Sequence, residues 1–418
     1  MRITKLLNRA NGPINLTFYK IGAIITVLTL LGVYMKQYII SICLSLSLVA
    51  CGGGGSASTD SPPPPVSVSG GPVPASSISV SSYFNSKENS FFSNDFPKDL
   101  YGVNPLNVDS YAFFKYADGA PGLITERNLY NTQTETPSTA ARGQIVFYKK
   151  INNQWQVNPV TVTETVQPCI HARKVMVADF NNDGIADFAI ACHGWDATPF
   201  PGEQSTILLS QGANYVLSNI TSRADFYHGG SANDFNNDGY ADIALTTAAG
   251  IKIFLNDKTG KFVESGDYTV PQSKHPFQIE LVDMSGDGKF DIITGGHEWD
   301  DSTRIIINPG DNKFANGRTI AIPMVPGAGV IVDFVYIKTN NSVYILRTGD
   351  GQNNGTAFYE GLWLQKFSLD SNISTIIYAN QSWTDSRYQY PSKWLRWIDE
   401  EGGYIVSNWG SAIRFLIN

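Results

Sequence analysis

The sequence predicts an all-β fold, a β-propeller of four-stranded blades, on three observations. An Asp-rich nonapeptide recurs three times at starts about fifty residues apart, the length of one blade. The 38 Gly and 21 Pro are spread along the chain, and aromatic residues reach 12% against only 16% charged, which suits many short strands joined by turns. The 418 residues leave room for a large single β domain, since barrels and sandwiches often use more than two hundred residues as one unit.

The chain opens with residues 1–50, read as a secretory signal. From Ile21 to Ala50 they are almost uniformly apolar, broken at Met35-Lys36-Gln37, and the run stops at Leu48-Val49-Ala50-Cys51. That ending resembles the bacterial lipobox, in which the signal is cut before a cysteine whose thiol carries diacylglycerol. Cys51 is therefore expected to be the lipidated N-terminus of an exported protein, anchored at the outer membrane or cell surface. An uncleaved transmembrane anchor is the alternative, because the apolar run is long enough to span a bilayer. Met35-Lys36 also reads as a start, which makes the preceding residues an upstream extension. Residues 51–82 follow as a tether rich in Gly, Ser and Pro, including Ser61-Pro62-Pro63-Pro64-Pro65, too poor in apolar surface to fold.

Residues 83–418 are assigned to the propeller. Its three complete repeats are Asp179 to Asp187, Asp234 to Asp242 and Asp283 to Asp291. Side-chain oxygens at positions one, three and five converge when Gly at six permits a sharp turn. Position seven offers a backbone carbonyl, and the carboxylate at nine closes the shell. The ligand sets are Asp179, Asn181, Asp183, Ile185 and Asp187; Asp234, Asn236, Asp238, Tyr240 and Asp242; and Asp283, Ser285, Asp287, Lys289 and Asp291. Such hard, all-oxygen sites suit calcium, about three ions in all. A true EF-hand is excluded, since no Glu stands at position twelve and the flanks are strand-like, as in Val175-Met176-Val177-Ala178 and Phe188-Ala189-Ile190-Ala191. Acidic hairpin turns without metal are the bland alternative.

These nonapeptides resemble the FG-GAP and VCBS repeats of integrin α-subunit propellers and of many secreted bacterial proteins. The resemblance is strong from Arg173 to Asn308. Weaker copies are read at Tyr111 to Thr125, where Gly122 replaces the closing Asp, and at Val330 to Arg347 and Trp394 to Val406, headed by Asp333 and Asp399 without a ligand set. Six blades are countable, and the resemblance makes seven an alternative. A strand from before Tyr111 is expected to complete the last blade beside Ala412 to Ile417, which protects the sheet edges.

All five histidines fall beside the repeats. His171, His228 and His275 precede the opening Asp residues, while His193 and His297 follow the closing ones. Because the loop joins the first two strands of a blade at one face, the outer ends of both strands reach the opposite face, and the histidines are expected to gather there. His193-Gly194-Trp195-Asp196 and His297-Glu298-Trp299-Asp300 repeat a His-x-Trp-Asp pattern. The candidate ligand contacts are thus His193, Trp195, Asp196, His297, Trp299 and Asp300. Imidazole, indole and carboxylate together suit sugar binding, proton transfer or transition-metal ligation. Shared blade packing is the bland reading, although Ala248 stands at the equivalent position of the middle copy.

Two cysteines remain in the mature body, Cys169 and Cys192, flanking one predicted hairpin; they either pair or stay as buried thiols. The net charge of -7, with no basic stripe, argues against a nucleic-acid partner. No Ser nucleophile elbow, P-loop or zinc-protease helix is present. The sequence thus supports a cell-envelope binding or adhesion module, its ligand a glycan or a protein. The alternative is a polysaccharide lyase or another carbohydrate-active enzyme on the same scaffold, by analogy of fold.

Overall fold

The computed structural model describes residues 84–85, 110–266, 268, 270, 274–298, 302–349, 351–353, 356–358, 361–380, 394–398, 403–408 and 411–415. All belong to Pro63–Asn418, one of the two compact units into which the chain divides. The signal sequence, Cys51, the tether, Trp299, Asp300 and Asp399 lie outside the described residues. Among the described residues no helix is long and apolar enough to cross a membrane.

The fold is an all-β propeller. Five blades have four antiparallel strands each. The first runs through Ser110–Lys115, Pro121–Arg127, Gln144–Ile151 and Gln154–Val157. The Asp234 blade comprises Gly230–Asn233, Asp242–Thr247, Gly250–Asn256 and Phe262–Ser265, and the Asp283 blade comprises Gln278–Val282, Asp291–Gly295, Arg304–Ile307 and Arg318–Ala321. Val330–Ile337, Ser342–Thr348, Leu362–Ser368 and Ile373–Asn380 make the next. In the last, Trp394–Ile398, Gly403–Asn408 and Ser411–Phe415 are joined by Phe84–Asn85, which pairs antiparallel to the final strand. The expected closure by a strand from before Tyr111 is thus present.

The count of six or seven four-stranded blades is corrected to five. The sheet that carries the Asp179 loop has five strands. Ala172–Ala178, Asp187–Cys192, Thr206–Gln211 and Asn214–Asn219 are antiparallel, and Val162–Glu164 adds to the outer edge in parallel. The long spacing before Asp179 therefore hides no further blade. Val162–Glu164 has three residues, too few to form a hairpin of its own, and it covers an edge that would otherwise expose unpaired backbone groups.

The second strands explain the cohesion between sheets. Asp187–Cys192 and Asp242–Thr247 are buried at every position, because each packs against a neighbouring sheet on both faces. Alternation then sends Phe188, Ile190 and Cys192 toward Ile124, Phe147 and Tyr215, and Ala189 and Ala191 toward Ile243, Leu245 and Phe254. The same alternation separates Ile292 and Ile293 between two further clusters. The inner strands touch in succession from Ser110–Lys115 round to Trp394–Ile398 and back, closing the ring. Between them, Lys174 meets Glu280 at 2.5 Å and Asp333 at 3.4 Å, and Glu280 also accepts from Ser231 at 3.0 Å, tying four sheets together with polar contacts.

Candidate functional site

The three acidic loops share one construction. In the first, Asp179 accepts the N–H groups of Asp183 and Gly184 at 3.1 and 2.8 Å, and Asn181 Oδ1 accepts that of Asp183 at 3.1 Å. Gly184 stands at φ 82°, a left-handed turn that a side chain would strain. Asp187 is fully buried, with one oxygen accepting the N–H of Phe180 and the other that of Ser210, at 2.7 and 2.6 Å. The ninth carboxylate thus fastens the loop to the third strand. Asp242 repeats this through Phe235 and Asn256, and Asp291 through Met284 and Asn308. Burial raises all three carboxyls, Asp242 to about 6. Asn256 and Asn312 also reach back to the carbonyls of Phe180 and Phe235 in the preceding loops.

At the other end of these hairpins the histidines assemble. His193 N–H donates to the His171 carbonyl at 2.8 Å across the open end of the hairpin that Asp179 to Asp187 closes. The rings continue as a chain. His171 and His193 lie 5.0 Å apart between centroids, His193 and His228 4.4 Å, His228 and Phe277 4.4 Å, and Phe277 and His297 4.7 Å. Four of the five histidines are therefore linked, three of them by direct ring contact, and His275 is exposed nearby, close enough for its charge to depress His228. Burial pushes His193 down to about 4, against the opposing pull of Asp196, and drives His228 well below its ordinary value. Both are neutral imidazoles near pH 7.

Asp196 is partly exposed and lies 3.9 Å from both His171 Nδ1 and His193 Nε2. Trp195 is only 3% exposed and packs on Tyr130 at 5.6 Å, so its indole is a floor beneath the face and not a stacking surface. His297 bridges to Val330, and Glu298 bonds the fully buried Arg347 at 2.6 Å and Thr303, which ties these two residues of the second copy to the following blade.

Several residues of this region carry no repeat signal in the sequence. Tyr130 lies in an irregular connection, yet its hydroxyl is 2.8 Å from His171 Nδ1. Phe226 packs on His193 at 4.1 Å, and Phe200, half exposed, lies beside Phe226. Glu203 ends the long turn after Asp196 and accepts the N–H groups of Ile170 and His171 at 3.0 and 3.1 Å, while Arg142 pairs with it at 3.1 Å. Gly194, at φ 82°, lets that turn approach; a Cβ there would fall 2.5 Å from the Gly202 backbone. Cys169 and Cys192 are joined in a disulfide, with Cα atoms 5.6 Å apart, immediately beside His171 and His193.

The FG-GAP-like repeat family matches residues 234–294. The chain is a β-propeller that carries an FG-GAP-like repeat. Among solved structures it is similar to an Agrocybe aegerita lectin that recognises non-reducing terminal N-acetylglucosamine, at 14% identity and a TM-score of 0.36, over 64% of this chain and 68% of the lectin. It is also similar to a hypothetical protein from Leishmania major, at 10% identity and a TM-score of 0.35, over 62% of this chain and 89% of the other. No curated protein matches the sequence.

Proposed function

We propose that the protein is a calcium-stabilised binding module of the bacterial cell envelope. It is held to the membrane through lipidated Cys51 and takes a glycan or protein ligand on the histidine face. The observation that carries this reading is the two-ended hairpin: an acidic loop at one end and the imidazole and aromatic array at the other, where a 2.8 Å backbone bond joins His193 to His171. The loops fit calcium in donor chemistry. Asp179, Asn181 and Asp183 supply hard oxygens around a glycine turn, and Asp187 adds a buried carboxylate that is tied to Phe180 and Ser210. A bound divalent ion would also stabilise the ionised forms of Asp187, Asp242 and Asp291 against the burial that raises them. On the face itself, Tyr130, Asp196 and half-exposed Phe200 offer one ring edge, one carboxylate and one open ring to a sugar or peptide.

One contact favours the enzymatic alternative. Tyr130 and His171, in hydrogen-bond reach beside Asp196, form a pair that could exchange a proton with a polysaccharide substrate. A glycan array screened with calcium and with chelator tests the binding reading, and Asp196→Ala on the same array tests the face. Calcium-dependent signal that Asp196→Ala weakens supports it. Any bound glycan is then incubated with wild type and Tyr130→Phe. Cleavage that stops in Tyr130→Phe while binding persists would assign the enzyme instead.

A further inference from the structure

We infer that His171, His193 and Asp196 form a binding site for one divalent transition-metal ion, with zinc as the representative probe. This site is separate from the acidic loops in both place and chemistry. Among the described residues, two groups of three His, Cys, Asp or Glu side chains bring donor atoms within 4.8 Å of one another. One is Cys169, Cys192 and Glu203, whose sulfurs are consumed in the disulfide. The other is His171, His193 and Asp196.

The geometry of the second group is close to what a metal needs. Ligands about 2.0 to 2.1 Å from a tetrahedral zinc stand roughly 3.4 Å from each other. Here His171 Nδ1 is 3.9 Å from Asp196 Oδ2 and His193 Nε2 is 3.9 Å from Asp196 Oδ1, so taking up an ion requires the carboxylate to turn and the Tyr130 hydroxyl, now 2.8 Å from His171 Nδ1, to release that nitrogen. Two imidazoles and one carboxylate select a first-row transition metal over calcium, which prefers an all-oxygen shell. Both imidazoles are buried, at 5% and 3% exposure, whereas Asp196 is partly open, giving the ion one approach from solvent. That open side is where a fourth ligand, water or a ligand oxygen, would sit, next to the Tyr130 hydroxyl.

The surroundings hold the donors in position. The backbone bond between His193 and His171 spaces the two rings, and the Cys169–Cys192 disulfide closes the same hairpin end. Glu203 fixes the backbone N–H of His171. Loss of such support typically costs about ten- to a hundredfold in metal affinity. Asp196 is the one anionic donor of the three, so it supplies the negative charge that a cation needs here.

The test is a calorimetric titration of the chelator-treated full-length protein with zinc in excess calcium, which keeps the acidic loops saturated. One zinc per chain is expected, and Asp196→Asn should weaken it by about a hundredfold or more. His193 is buried and its Ala variant could lose the fold, so Asp196→Asn, at a partly exposed position, is the decisive variant, with melting curves as the check. His275→Ala should leave zinc binding unchanged. Cobalt titration should give the visible absorption of a four-coordinate site in wild type and not in Asp196→Asn. The inference is overturned if wild type takes up no zinc, if calcium competes it away, or if folded Asp196→Asn binds zinc as wild type does.

Discussion

Glu126 supplies a direct electrostatic test of the packing between the first blade and the five-stranded sheet. Its carboxyl is wholly buried, one oxygen accepts the Cys169 N–H at 2.7 Å, and the other has no hydrogen-bond partner. Burial, assisted by the negative charge of Glu203, pushes it from 4.5 to about 8. The unfolded chain therefore releases this proton first. Stability from this group is complete below about 4.5, falls as pH rises by about 1.4 kcal/mol per unit, and levels off above about 8, for a total of about 5 kcal/mol at most. Glu126→Gln keeps the acceptor for Cys169 and removes the ionisation. Urea unfolding of both proteins from pH 5 to 9 in constant calcium isolates the effect, because titrations elsewhere cancel in the difference. The variant should exceed wild type by less than about 1 kcal/mol near pH 5 and progressively more toward pH 8. A difference that stays flat across this range, or a variant less stable at pH 8, would refute the reasoning.

Two other perturbations follow from burial and from the N-terminal reading. Trp195→Ala should lower stability by roughly 3 to 5 kcal/mol, seen as a clear drop in Tm, because it removes a buried indole beneath Tyr130; an unchanged melting curve would mean that the ring is not part of the packing. Cys51→Ala should release the protein from membrane fractions or block its processing. Retention on the membrane at the mature size would instead favour a transmembrane anchor.

Much of the fold was legible because its signal is local and repeated. The three nonapeptides announce the hairpin loops, and the apolar strands on either side announce sheets buried on both faces. The histidine face was legible too, since strand direction alone carries His171 and His193 to the end opposite Asp179. What escaped was set by non-repeating segments. Val162–Glu164 is a parallel edge strand with no alternation to mark it, and its addition changed the strand count of one sheet. Tyr130, Glu126 and Glu203 sit in connections or at strand ends whose partners are 32 to 43 residues away. Their chemistry arises from packing between sheets, which no spacing within one repeat encodes. The pattern His-x-Trp-Asp also gave no sign that its indole points inward in the first copy.

In the proposed function the three acidic loops take calcium and so hold the hairpins that aim the histidine face. Calcium titration of chelator-treated protein, followed by calorimetry and thermal unfolding on the same samples, tests it most directly. About three ions per chain and a higher Tm with calcium are expected, each ion contributing about 2.7 kcal/mol at a hundredfold excess over its dissociation constant. Asp183→Asn, Asp238→Asn and Asp287→Asn should each remove one binding event. Superimposable melting curves in calcium and in chelator, with no heat of binding, would contradict it.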